Sequence, residues 1–169
     1  MSIRDQIVRL VSSKELFPLE SEDFGACTPR SLFVTQEVLD AVTFPVSNDP
    51  VLHAEFRQTL DGFLEGGEMS VGEDPDTKSS DALMARVKPI EDEFFDFRIT
   101  APYPAIRAFG GFAERDVFVI LTWQYRDVIG NDFDAEVERC KHEWQKLFGC
   151  TTPFKGRRLD DYLSNCTSV

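Results

Sequence analysis

The sequence predicts an α+β fold, with helices before and after an antiparallel sheet of about four strands. Three observations predict it. Apolar residues recur at helical spacing up to residue 64, alternate with polar ones from Ala82 to Phe112, and then run almost unbroken over residues 116–125. The length of 169 residues, with 42% hydrophobic side chains and fifteen phenylalanines, suits one domain with a core large enough to need no disulfide or metal. The division read from the pattern is an N-terminal extension over 1–49, an α+β core over 50–149 and a tail over 150–169.

Each element has its own signal. Ser2 with Asp5 three residues on is a capping-box pair, and Ile3, Ile7, Leu10 and Val11 follow at helical spacing. Residues 12–30, broken by Pro18 and Pro29, read as irregular. Residues 31–35 read as a short strand and 36–42 as a short helix capped by Thr35. Asn48 and Asp49 precede Pro50, a favoured first-turn residue. Leu52, Phe56, Leu60, Phe63 and Leu64 then form an apolar stripe that Gly66 and Gly67 end. His53, beside that stripe, reads as a surface or boundary residue. Residues 66–81, rich in glycine and acid with one lysine, read as a solvated loop inside the fold.

From Ala82 the period becomes that of strands. Leu83, Ala85 and Val87 alternate with Met84, Arg86 and Lys88, and Phe95, Phe97 and Ile99 alternate with Asp96 and Arg98. Ile106, Ala108, Gly110 and Phe112 alternate with Arg107 and Phe109. The run over 116–125 suits a central strand buried on both faces. Short turns between these runs make an antiparallel meander the simplest sheet. Asn131 or Asp132 caps a last helix with the stripe Phe133, Val137, Cys140, Trp144 and Phe148, closed by Gly149. The tail reads as loop, with one turn near Leu159.

The bulk numbers exclude several functions. Residues 1–82 carry a net charge of −10 and residues 83–169 only −2. The first half repels nucleic acid, so polyanion binding is confined to the second. No apolar run reaches the roughly 20 residues that span a bilayer, and the first residues lack the features of a signal peptide, which predicts a cytoplasmic protein. Cys27, Cys140, Cys150 and Cys166 form no C-x-x-C pair, and the sequence Cys140-Lys141-His142 matches no zinc spacing, so free thiols and no metal or cofactor are predicted. Nucleotide-binding glycine motifs and H-E-x-x-H are absent. Gly110-Gly111 reads as relief of crowding or a bulge, Glu91 and Glu93 as a solvated charge run, and Trp123 and Trp144 as core.

The candidate chemistry lies in the placement of basic residues. Arg86 and Lys88, Arg98, and Arg107 occupy the polar phase of three strands, and Arg126 ends the fourth. Side chains alternate across a sheet, so these groups could share one face and hold a phosphate through bidentate bonds. The competing reading is an ordinary open face neutralised by Glu91, Asp92, Glu93 and Asp96.

Residues 50–67, Met84-Ala85-Arg86-Val87-Lys88-Pro89, Phe95-Asp96-Phe97-Arg98-Ile99, Ala105-Ile106-Arg107-Ala108-Phe109 and 116–126 together resemble the bacterial RelE/ParE/HigB toxin superfamily over about residues 31–148. The resemblance implies a twisted antiparallel sheet with helices packed on one side. It also implies a metal-independent mRNA endoribonuclease of a toxin–antitoxin system, in which the substrate's 2′-OH attacks the adjacent phosphate. By this resemblance Arg98, Arg107 and Arg126 are catalytic, with Tyr125 as the partner that transfers a proton or stacks on a base, and Lys88 binds substrate; Arg86, in the polar phase of the same strand as Lys88, is the other substrate-binding candidate. RNA or the ribosome, and an antitoxin, are the implied partners. The chain departs from the family in its acidity, in the absence of an evident C-terminal tyrosine or histidine, and in about fifty N-terminal residues without counterpart; His142 falls mid-helix. The alternative is a non-catalytic acidic interaction protein of phage or mobile-element type that binds a basic protein partner.

Overall fold

The Ser2 hydroxyl accepts from the Asp5 amide at 3.1 Å, and the Asp5 carboxylate accepts from the Ser2 amide at 3.1 Å. This reciprocal cap starts α1 (Ile3–Ser12), whose Ile7 and Leu10 are buried. The computed structural model describes residues 1–43 and 49–169; the predicted cap at Asn48 lies outside them. After α1 come β1 (Phe17–Leu19), β2 (Ser31–Val34), α2 (Gln36–Thr43) and α3 (Pro50–Leu64). Asp49 caps α3 by accepting from the Val51 and Leu52 amides, and Gly66, at φ +78, turns the chain away after it. The second half holds β3 (Met69–Gly72), β4 (Met84–Arg86), β5 (Phe94–Ile99), β6 (Ile106–Glu114), β7 (Val117–Tyr125), α4 (Arg126–Ile129), α5 (Phe133–Phe148), α6 (Leu159–Tyr162) and β8 (Cys166–Ser168).

The strands form one sheet in the order β1-β2-β7-β6-β5-β4-β3-β8. The predicted α+β class holds, and β4 to β7 form the predicted antiparallel meander. The four-strand count does not. β2 joins β7 in parallel, and β3 lies parallel to both β4 and β8. The added strands β1, β3 and β8 have three or four residues each, too few for an alternation to stand out. β3 falls inside the segment read as a solvated loop, yet Met69 and Val71 are buried.

Helices on one side only is also corrected. β5, β6 and β7 carry large apolar side chains in both phases, and each phase needs its own cover. Phe95, Phe97, Phe112, Phe118 and Ile120 pack with α2, α3 and Tyr162 on one face. Phe94, Phe109, Val119 and Leu121 pack with α1 and α5 on the other. β7 lies between β2 and β6, with residues 118–121 buried on both faces, as its apolar run predicts. The β6–β7 register slips between Phe109 and Gly110, and a Cβ at Gly110 would stand 1.9 Å from the Val119 carbonyl oxygen. Glycine permits that closeness.

Two polar side chains are buried where the sequence placed neither in the core. His53 is 4% exposed, and its Nδ1 donates to the Ala41 carbonyl at 2.6 Å, correcting the surface reading. Arg30 donates to the carbonyls of Phe63, Gly67, Ser164 and Asn165, and its Nε lies 3.6 Å from Asp116. It therefore ties the end of α3 to the C-terminal segment.

Candidate anion-binding site

The antiparallel register of β5 and β6 places Arg98 directly opposite Arg107, and Asp96 opposite Phe109. All four share the face covered by α1 and α5. Two like charges in direct opposition repel. Asp96, one pleat away, relieves this, with Oδ2 3.5 Å from Arg107 Nε. α5 covers this face only from Phe133 onward, where its ring meets Phe109 at 5.3 Å between centroids. Beyond that ring lies a cavity of about 300 Å³, lined by Lys78, Asp96, Arg98, Arg107, Arg126 and Phe133, with Lys88 and Asp134 at its rim.

Four elements deliver the charges, and each cation is held mainly by a backbone carbonyl. Arg98 Nη1 donates to Ser79 O at 3.0 Å and Arg107 Nη1 to Ile106 O at 3.0 Å. Arg126 opens α4, donates from Nη1 to Gly130 O at 2.7 Å, and lies over the Phe133 ring at 5.8 Å. Lys78 arrives from the β3–β4 loop and donates to Pro75 O at 2.7 Å. Its stem passes Gly72 so closely that a Cβ there would stand 2.5 Å from the Lys78 Cβ. A carbonyl fixes a guanidinium without cancelling its charge.

Two of the acids beside the strand ends are engaged elsewhere, while Asp96 and Asp134 remain in the cavity lining. Glu93 pairs with Arg86 at 3.6 Å and accepts from Tyr162 Oη at 2.5 Å, while Asp92 pairs with Lys141 at 2.5 Å. Among the described residues Lys78, Arg98 and Arg126 have no ion pair, and the Nη2 groups of Arg98, Arg107 and Arg126 make no hydrogen bond.

The electrostatics follow from this crowding. Burial pushes the Asp96 carboxyl up to about 6, against the pull of Arg107, Arg98 and Lys78. Arg107, 8% exposed, is held below its ordinary value by burial, with Arg98 and Arg126 adding to the effect and Asp96 opposing it. Lys78 is lowered by burial first, with Asp96 opposing and Arg98 and Arg107 repelling its charge. The cavity is rich in positive charge, with Arg98, Arg107, Arg126 and Lys78 in its lining.

Of the residues singled out in the sequence, Arg98, Arg107 and Arg126 meet in this cavity. Lys88 stands at its rim with Nζ 2.5 Å from Asp76. Arg86 borders the cavity, but its guanidinium turns to the opposite face, over the rings of Phe95 at 5.1 Å and Tyr162 at 5.4 Å. Met84 and Ala85 are both buried, so alternation along β4 could not assign its face. Tyr125 pairs with Ile106 and packs edge-on to Trp123 at 5.2 Å, on the side away from the cavity. The sequence reading missed Lys78, whose one signal is that it is the single lysine of an acidic segment. It treated Asp96 only as a neutralising charge.

No family model, no curated protein and no solved structure matches the chain, so the likeness to the toxin superfamily stands on the short segments that carry it. Among the described residues no group of three or more His, Cys, Asp or Glu is placed to hold a metal ion, and no helix is long and apolar enough to cross a membrane.

Proposed function

We propose that this chain recognises a phosphate-bearing ligand through the cavity bounded by Lys78, Arg98, Arg107 and Arg126. The observation that carries the reading is the set of guanidinium N–H groups held in place by backbone carbonyls yet left without an acceptor. Planar guanidinium groups bond phosphate oxygens in pairs, and charge-assisted bonds of this kind are about twice as strong as neutral ones. The cavity volume lies at the lower end of the roughly 300–1,000 Å³ common for ligand sites. One phosphate group with a small attached moiety suits it.

Cleavage of RNA is the finer form of this proposal. In it the 2′-O–P bond forms as the P–O5′ bond breaks, and the guanidinium groups stabilise the charge that builds on the phosphorus oxygens. The reaction also needs a proton for the departing O5′, which solvent water supplies, and an acceptor for the 2′-OH proton. Tyr125, packed on the far side of the sheet, does not serve; Asp96, raised to about 6, is the cavity's buried carboxylate and takes that role. Calorimetric titration with a mononucleotide, run beside an end-labelled RNA incubated without metal, tests both levels. Saturable binding that Arg107→Ala abolishes supports recognition, and cut RNA supports the reaction. A wild-type protein that binds no phosphate ester overturns both.

A further inference from the structure

The cavity does not open directly to bulk solvent on every side. It shares Pro75, Lys88 and Asp134 with a wider groove of about 870 Å³ between the β3–β4 loop, the turn after β4 and the outer side of α5. Six carboxylates line that groove, from Glu73, Asp74, Asp76, Glu91, Asp134 and Glu138. Its two lysines are already engaged. Lys88 pairs with Asp76 at 2.5 Å, and Lys141 pairs with Asp92 at 2.5 Å and Glu138 at 2.7 Å. Among the described residues Glu73, Asp74, Glu91 and Asp134 have no ion pair, and Pro75, Pro89, Ile90 and Val137 supply apolar surface between them.

A small positive cavity thus adjoins a large negative approach. A polyanion with evenly spaced phosphates would place its second and third charges against carboxylates, a repulsion that cancels much of what the first phosphate gains. A ligand with a single anionic group and a cationic arm meets attraction in both parts. The groove has room for several amino-acid side chains in extended form and exceeds what a short aminoalkyl arm fills.

We infer that the occupant is a basic peptide segment carrying one phosphorylated side chain, with the phosphate seated among Lys78, Arg98, Arg107 and Arg126 and lysine or arginine side chains along the acidic groove. This rests on the phosphate-recognition reading, specifies its ligand class as a peptide, and replaces RNA as the ligand of the cavity. Arg107, 8% exposed, supplies the anchor through its unbonded Nη2, and the groove supplies the discrimination between partners.

Fluorescence anisotropy with three labelled peptides tests it: phosphoserine flanked by lysines, phosphoserine flanked by glutamines, and unmodified serine flanked by lysines. The lysine-flanked phosphopeptide binds about 10-fold or more tightly than the glutamine-flanked one at low salt, and the ratio approaches one near 0.5 M salt as screening shortens to a few ångström. The exposed pair Glu91→Lys and Glu138→Lys, made together, removes the preference between the two phosphopeptides. Equal binding of the two phosphopeptides by wild type overturns the inference and leaves phosphate recognition standing. Failure of both to bind overturns phosphate recognition itself. Equal binding of the unmodified lysine peptide, or tighter binding of a single-stranded RNA, also overturns the inference.

Discussion

Replacing Asp96 with asparagine removes one negative charge from the floor of the cavity and little volume, so its effect can be worked from charge alone. Asp96 Oδ2 lies 3.5 Å from Arg107 Nε, and its carboxyl titrates near 6. An anion in contact with Arg107 would lie roughly 5–7 Å from that carboxylate, a repulsion of about 2–3 kcal/mol per unit charge at an effective dielectric of ~20. Part of this is lost because Asp96 also holds Arg107 in place. Asp96→Asn should therefore bind sulfate at least about 10-fold more tightly at pH 8, where the wild-type group is ionised. Near pH 5, where the wild-type carboxyl is mostly protonated, the two proteins should agree within about 2-fold. Sulfate is the right probe because a phosphate monoester changes its own charge near pH 6.

The same group sets a pH dependence of stability. Its folded value, about 6, exceeds the ordinary 3.8, so the folded chain holds the extra proton between those values. Its contribution is full below about pH 4 and is lost as pH rises through 6, roughly 3 kcal/mol in all. Urea unfolding of Asp96→Asn should lack that loss. Calorimetric sulfate titrations at pH 5 and pH 8 decide the matter: an unchanged or weaker affinity at pH 8 would refute the charge argument and leave Asp96 as a support for Arg107.

Other perturbations separate the site from the scaffold. Arg98→Ala should lower phosphate affinity about 10-fold or more, while Arg86→Ala should leave affinity unchanged and lower the urea midpoint, because Arg86 packs on Phe95 and Tyr162. Arg30→Ala removes the fully buried donor shared by the Phe63, Gly67, Ser164 and Asn165 carbonyls, and the cation beside Asp116, and should cost about 3–5 kcal/mol in urea unfolding; a loss under about 1 kcal/mol would contradict the anchoring role. Gly110→Ala forces a methyl onto the Val119 carbonyl and should cost about 3 kcal/mol or prevent folding, read from soluble yield and thermal unfolding. A thiol reagent should modify exposed Cys27 and Cys150 quickly and Cys140 only on unfolding, since Cys140 is buried and its thiol is pushed up by burial.

The legible parts of the fold are those whose physics is local. The Ser2–Asp5 cap, the Pro50 start and glycine stop of α3, and the two-faced apolar run of β7 each announce an element within a few residues. The parallel partners β2 and β3 are not local, for their pairing depends on where distant strands lie in the sheet. In the site, Arg98 and Arg107 were legible because β5 and β6 alternate cleanly until the slip at Gly110. Arg86 was misplaced because burial on both faces erases the alternation that assigns a side, and Tyr125 lies past the register slip opposite Gly110, which breaks the phase along β7. Lys78 reaches the cavity through a loop, and no period records where a loop returns.

Nuclear magnetic resonance of the arginine side-chain Nε–Hε groups during titration with inorganic phosphate tests the positive cavity most directly. Saturable, concerted shifts at Arg98, Arg107 and Arg126, with Arg30 and Arg86 still, are the result that follows from uncommitted donors around one anion. Uniform drift of every arginine, or silence at those three, would mean that the cavity holds no phosphate.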